Sequence, residues 1–135
     1  MTDKVAHGVT KKMAKPSEPV TDAELELLKV LWQQQPLSVR EITAALYEEL
    51  SNSNIGTVQK LLQRLESKRC IQRDRSTYAH RFSVIVTQAA VAGKQLEVMA
   101  DKLADGSLAP FITHLVQSRR LTKKEKKDIR KMLEE

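Results

Sequence analysis

The stretch SNSNIGTVQKLLQRLESKRCIQRD, residues 51–74, decides the fold. It opens on a polar joint, Ser51-Asn52-Ser53-Asn54-Ile55-Gly56, in which Ser53 or Asn54 can cap a helix. On that helix Val58, Leu61, Leu62 and Leu65 fall within an apolar arc of ~100°. The opposite face carries Gly56, Gln59, Lys60 and Gln63, flanked by Thr57 and Arg64. The pattern then changes period. Cys70-Ile71-Gln72-Arg73, a polar turn Asp74-Arg75-Ser76-Thr77, and residues 78–86 with Tyr78, His80, Phe82 and Val84 alternating read as two strands. A helix followed at once by a basic hairpin predicts a winged helix-turn-helix, provided two helices precede it.

They do. Thr21-Asp22-Ala23-Glu24, with Val20 before it, is a capping box that opens the pattern Leu25, Leu28, Leu31, Trp32. Leu27 and Val30 leave only a narrow polar strip of Glu26, Lys29 and Gln33, so this helix is covered from more than one side, and Trp32 reads as core. Pro36 closes the next turn, and Ser38-Val39-Arg40-Glu41 caps a second helix with Val39, Ile42, Leu46 and Leu50 on one face. Residues 1–19 are polar and unpatterned, with Lys4, Lys11, Lys12 and Lys15 against Asp3 and Glu18. They read as a disordered, solvated leader, with a basic arm touching DNA as the alternative.

Beyond the hairpin, helical periodicity returns. Ala90, Leu96, Met99 and Leu103 form a stripe that Thr87 or Ser83 can cap and Gly106 ends. Leu108, Phe111, Ile112, Leu115 and Val116 follow, with Pro110 in the first turn of their helix. A third capping box, Thr122-Lys123-Lys124-Glu125, leads to Ile129, Met132 and Leu133. Three amphipathic helices with little core of their own want a partner, most simply a second copy. The expected architecture is mainly α with a small β-hairpin wing: a winged helix-turn-helix over 20–86 and a helical dimerisation region over 87–135.

Charge separates reader from scaffold. Residues 21–53 hold two basic and six acidic side chains, whereas 54–84 hold seven basic and two acidic. Phosphate neutralisation supplies non-specific affinity, and base edges are read by Arg, Lys, Asn, Gln and Thr. Asn54, Thr57, Gln59, Lys60, Gln63 and Arg64 are therefore the candidate readers, with Arg73, Arg75 and Arg81 of the wing on the phosphates. Leu96, Met99, Leu103, Phe111, Ile112, Leu115 and Ile129 are the candidates for joining two protomers. The partners expected are double-stranded DNA and a second copy. The alternative is a winged-helix interaction module that binds a protein without sequence-specific DNA contact. The run Lys123, Lys124, Lys126, Lys127, Arg130 and Lys131 reads as a solvated outer face, with phosphate contact as the alternative.

Composition closes off other classes. The 135 residues carry a net charge of +6, 41% hydrophobic but only 4% aromatic side chains, and four Gly and four Pro, which favours aliphatic helices over a β-sandwich. The lone Cys70 excludes an internal disulfide, and with no apolar leader or long apolar run the expected home is a reducing cytoplasm. Cys70, beside Arg69 and Arg73, reads as a small residue opening a strand, with a redox-sensing thiol as the alternative. His7, His80 and His114 have no metal-ligand or catalytic spacing, so no enzyme, metal or cofactor is expected.

Over residues 20–134 the chain resembles the BlaI/MecI/CopY family of repressors. The residues that carry the resemblance are VTDAELELLKVLW at 20–32, TVQKLLQRL at 57–65, Arg81-Phe82-Ser83 at the wing exit, the break Gly106-Ser107, and Leu121-Thr122-Lys123-Lys124-Glu125. The resemblance implies a homodimer that binds inverted-repeat operators and represses genes until it is inactivated. It also marks departures. Family members usually have Gly where this chain has Arg69, and Ser-Pro-Lys where it has Asn54-Ile55-Gly56. The Asn-Phe bond cut in antibiotic-responsive members and the C-terminal cysteines of copper-responsive ones do not occur, so neither inducer is implied.

Overall fold

All three capping boxes form. Thr21 Oγ1 accepts from the Glu24 N–H at 3.2 Å while Glu24 Oε1 accepts from the Thr21 N–H at 3.0 Å. Ser38 with Glu41 and Thr122 with Glu125 repeat the arrangement. The computed structural model describes residues 14–134. Its elements are α1 (Asp22–Gln33), β1 (Leu37–Ser38), α2 (Val39–Leu46), α3 (Asn52–Ser67), β2 (Ile71–Asp74), β3 (Arg81–Val84), α4 (Gln88–Leu103), α5 (Ala109–Gln117) and α6 (Lys123–Leu133). The chain divides into two units, residues 1–96 and 97–135.

In the first unit the apolar stripes of α1, α2 and α3 meet. Leu27, Leu28, Leu31, Ile42, Val58, Leu62, Leu65 and Phe82 form the heart of the core. The sheet is antiparallel in the order β1-β3-β2, with Phe82 of β3 opposite Leu37 on one side and Arg73 on the other. Strand β1 adds to the expected hairpin; at two residues it is too short to show an alternation. Strand β3 starts only at Arg81, so Tyr78 is not the apolar residue of a strand face but stands fully exposed in the wing loop.

Two helix ends also differ from expectation. Helix α2 stops at Leu46, where Tyr47 turns to extended backbone, leaving Leu50 exposed. Glu48 and Glu49 follow at this end, where the helix dipole disfavours anions. Helix α3 is capped by Ser51, earlier than Ser53 or Asn54: Ser51 Oγ accepts the Asn54 N–H at 3.0 Å.

The C-terminus of α3 is a Schellman turn made without glycine. The Cys70 N–H reaches Leu65 O at 2.9 Å, the Arg69 N–H reaches Glu66 O at 3.0 Å, and Arg69 sits at φ 63°. A non-glycine residue in this conformation costs on the order of 1 kcal/mol. Arg69→Gly is therefore expected to raise unfolding free energy by ~0.5–1 kcal/mol in urea titration, after the glycine's greater unfolded-state freedom is counted. An unchanged or lower midpoint would contradict this.

The expected leader does not extend through residue 19. Pro16 is buried, Ala14 packs on the core, the Ser17 N–H donates to Lys68 O at 2.8 Å, and Pro19 O accepts from Lys68 Nζ at 3.0 Å. Ser17, through its N–H and its hydroxyl, satisfies the Lys68 and Ser67 carbonyls that the end of α3 would otherwise leave open. The rest of the predicted leader, with Lys4, Lys11 and Lys12, lies outside the described residues. At the other end the first unit runs past residue 86. Thr87 Oγ1 caps α4 at the Ala90 N–H (3.0 Å), Val91 is buried, and Gln95 brackets the Val20 peptide through Oε1 (2.7 Å) and Nε2 (3.1 Å). The Trp32 indole donates to Val86 O at 2.9 Å, and the ring packs half-buried against the core in which it was expected.

The second unit holds the end of α4, then α5 and α6. Helix α4 closes at Gly106, whose φ of 85° lets its N–H return to Ala100 O at 2.9 Å. Pro110 lies in the first turn of α5. Among the described residues of this unit only Ala100 is buried, while Met99, Leu103, Ile112, Leu115, Met132 and Leu133 are exposed. No described helix is long and apolar enough to cross a membrane.

Candidate nucleic-acid interface

Helix α3 turns Val58, Leu61, Leu62 and Leu65 into the core, and the opposite side follows from the helical period. Thr57, Gln59, Lys60, Gln63 and Arg64 are all exposed there. Among the described residues, the side chains of Gln59, Lys60, Gln63 and Arg64 have no hydrogen-bond or ion-pair partner. Thr57 Oγ1 donates back to Ser53 O at 3.0 Å, while the residue stays exposed. Asn54 differs: it is half-buried, and its Nδ2 donates to Glu49 O at 3.0 Å, tying the joint between α2 and α3.

A cleft of about 470 Å³ runs between α3 and the wing. Gln59 and Gln63 form its α3 side, Tyr78, Ala79 and His80 its wing side, and Ser38 and Arg40 at the start of α2 its end, over a floor of Leu62 and Phe82. Lys60 and Arg64 lie outside the cleft on the exposed flank of α3. Sequence reading missed Arg40, Tyr78 and His80. The signal for Arg40 was its placement as one of only two basic residues in an acidic segment, beside a capping serine.

The three wing arginines separate. Arg73 Nε and Nη2 donate to the two oxygens of Glu66 at 3.1 and 2.7 Å, its Nη1 meets His80 Nδ1 at 3.3 Å, and its guanidinium lies 4.9 Å from the Phe82 ring centroid. Arginine has only donors, so His80 Nδ1 is the acceptor. Arg81 Nη2 donates to Pro36 O at 3.0 Å and to Glu41 at 3.4 Å. Arg75, at the wing tip, is exposed and unpaired among the described residues.

Two carboxylates of this region, Glu41 and Asp74, are shifted toward the charged form. The Ser38 N–H holds Glu41 below the usual carboxylate range, and the Ser76 hydroxyl, together with the Ser76 N–H at 2.8 Å from Oδ1, does the same for Asp74. Cys70 behaves oppositely: it is buried, and desolvation pushes its thiol up to about 11. That is the reverse of what a redox sensor needs. Thiol labelling of the native protein at pH 8 is expected to run roughly a hundredfold slower than in urea, and to go on rising about tenfold per pH unit until the thiol's own value of about 11 is reached. Equal rates would contradict the buried placement.

Compared with protein families, residues 20–135 match the family described as penicillinase repressor. Curated proteins give no match. Among solved structures, the chain is 23% identical to the DNA binding domain of the repressor BlaI, with a TM-score of 0.48, over 57% of this chain and 93% of that one. A second, Bacillus licheniformis BlaI in monomeric form in complex with the blaP half-operator, is 23% identical with a TM-score of 0.46 over the same shares.

Proposed function

From the premise that this chain belongs to the penicillinase repressor family, we propose that it is a homodimeric cytoplasmic repressor whose α3 reads an inverted-repeat operator. The observation that carries the reading is the row Gln59, Lys60, Gln63 and Arg64 on one exposed face of α3. Four side chains able to read bases stand free of the protein on a single helix, and side chains of these types satisfy base edges in the major groove. Arginine and lysine pair with guanine, glutamine with adenine, and the Thr57 methyl suits a thymine methyl.

The flanks hold the phosphates. Arg75 at the wing tip and Arg40 at the start of α2 take this role, whereas Arg73 and Arg81 brace the wing against α3 and α2. Asn54 holds the joint. Leu96, Met99, Leu103, Phe111, Ile112, Leu115 and Ile129 join the protomers, which covers apolar surface that one chain leaves open.

Duplex binding by the purified protein between ~50 and ~200 mM salt, with solution mass measured alongside, tests this. The expected result is a species of twice 15.3 kDa whose affinity falls by orders of magnitude across that range. A monomer with salt-insensitive or absent binding would contradict it.

A further inference from the structure

Helix α6 carries six basic residues against two acidic ones in eleven positions. At ~100° per residue, Lys126, Arg130, Lys123, Lys127, Lys131 and Lys124 fall in that order around one continuous arc of ~160°. Neither Glu125 nor Asp128 interrupts it; both fall on the other side with Ile129, Met132 and Leu133. All six cations are exposed, and none has an ion-pair partner among the described residues. Glu125 is already committed to the Thr122 N–H at 2.9 Å. The arc also sets like charges at four-residue spacing three times, Lys123 with Lys127, Lys126 with Arg130, and Lys127 with Lys131, a spacing at which they repel.

We propose that this basic face is a second contact surface for the phosphate backbone of duplex DNA. The proposal rests on the reading of the chain as a duplex binder. The stripe fits that partner in charge and in length. Eleven residues extend ~16 Å, and duplex DNA presents one negative charge per ~1.7 Å of axis. The centre of the face, around Lys123, Lys127 and Arg130, lies at least ~100° from Ile129, so joining protomers through Ile129 leaves those cations open. A lipid surface is the poorer match: a helix lying on a membrane must bury its apolar edge, and α6 has no aromatic residue there. Phosphate contacts carry no sequence information, so α6 adds affinity to every duplex and leaves the operator preference to α3.

The test compares the double variant K127Q/R130Q, at the centre of the stripe, with K94Q/K102Q, which removes the same charge from α4. Both are titrated with operator duplex and random duplex across salt, and with vesicles of phosphatidylcholine and phosphatidylserine, after helix content and mass are shown to match the unaltered protein. For K127Q/R130Q the expected result is roughly tenfold weaker binding to both duplexes, a salt slope lower by about two per protomer, and an unchanged operator-to-random ratio. K94Q/K102Q should move the slope little. An unchanged slope in K127Q/R130Q, or an equal change in both variants, overturns the proposal while leaving the repressor reading intact. So does a loss confined to vesicles of phosphatidylcholine and phosphatidylserine. If the unaltered protein binds no duplex, both readings fall together.

Discussion

Lys68→Met is expected to remove ~3–5 kcal/mol of unfolding free energy. The Glu24 carboxylate has no exposure, Lys68 only 15%, and Lys68 Nζ meets Glu24 Oε1 at 2.6 Å. The same oxygen accepts the Thr21 N–H, while Oε2 is buried with no partner. Taking away the cation leaves a carboxylate that neither water nor another side chain can compensate. The neutral pair E24Q/K68M is expected to recover most of the loss, because the penalty lies in the unpaired charge and not in the missing bond. Urea unfolding of both variants measures this, and a loss below ~1 kcal/mol for K68M would contradict it. The consequence reaches the proposed reading face of α3. Lys68 also donates to Pro19 O, so one ammonium ties the end of α3 to the start of α1 and to the segment before it. Without it, the pose of the reading helix loosens.

Arg64→Ala and Arg75→Ala are expected to weaken DNA binding in different ways. Taking the Arg64 guanidinium away from a base edge should cost ~1–3 kcal/mol per protomer and relax discrimination at one position of each half-site. In a dimer the cost on an operator doubles. Loss of Arg75 at the wing tip should weaken all sequences alike and lower the salt slope by about one per protomer. Arg73→Ala differs from both, because its guanidinium is spent on Glu66, His80 and Phe82. It should lower unfolding stability together with binding. Operator and random duplex titrations of the three variants separate these roles, and equal losses for Arg64 and Arg75 on both duplexes would contradict the assignments.

What could be read in the sequence was local. Thr21 with Glu24, Ser38 with Glu41 and Thr122 with Glu125 are three residues apart, so each capping box declared a helix start without help from the rest of the chain. The stripe Val58, Leu61, Leu62, Leu65 fixed which side of α3 faces inward, and thereby which side is free to read. What stayed hidden was long-range. Glu24 looked like a capping residue only, and its buried bond to Lys68 spans 44 positions. The unmatched charge of Arg73 and Arg81 suggested phosphate contacts, yet Glu66 and Glu41 neutralise them across the fold. Arg40 enters the cleft only because β1 and β3 bring the start of α2 beside the wing. Strand β1 itself exists by pairing with β3, not by any preference that Leu37 and Ser38 state alone.

Selection of bound duplexes from a random pool by the purified 135-residue chain tests the central claim most directly. An enriched inverted repeat is predicted, with half-sites one or more helical turns of ~10 base pairs apart. The enrichment should weaken at one position of each half-site in Arg64→Ala. Recovery of an unenriched pool would contradict sequence reading by α3.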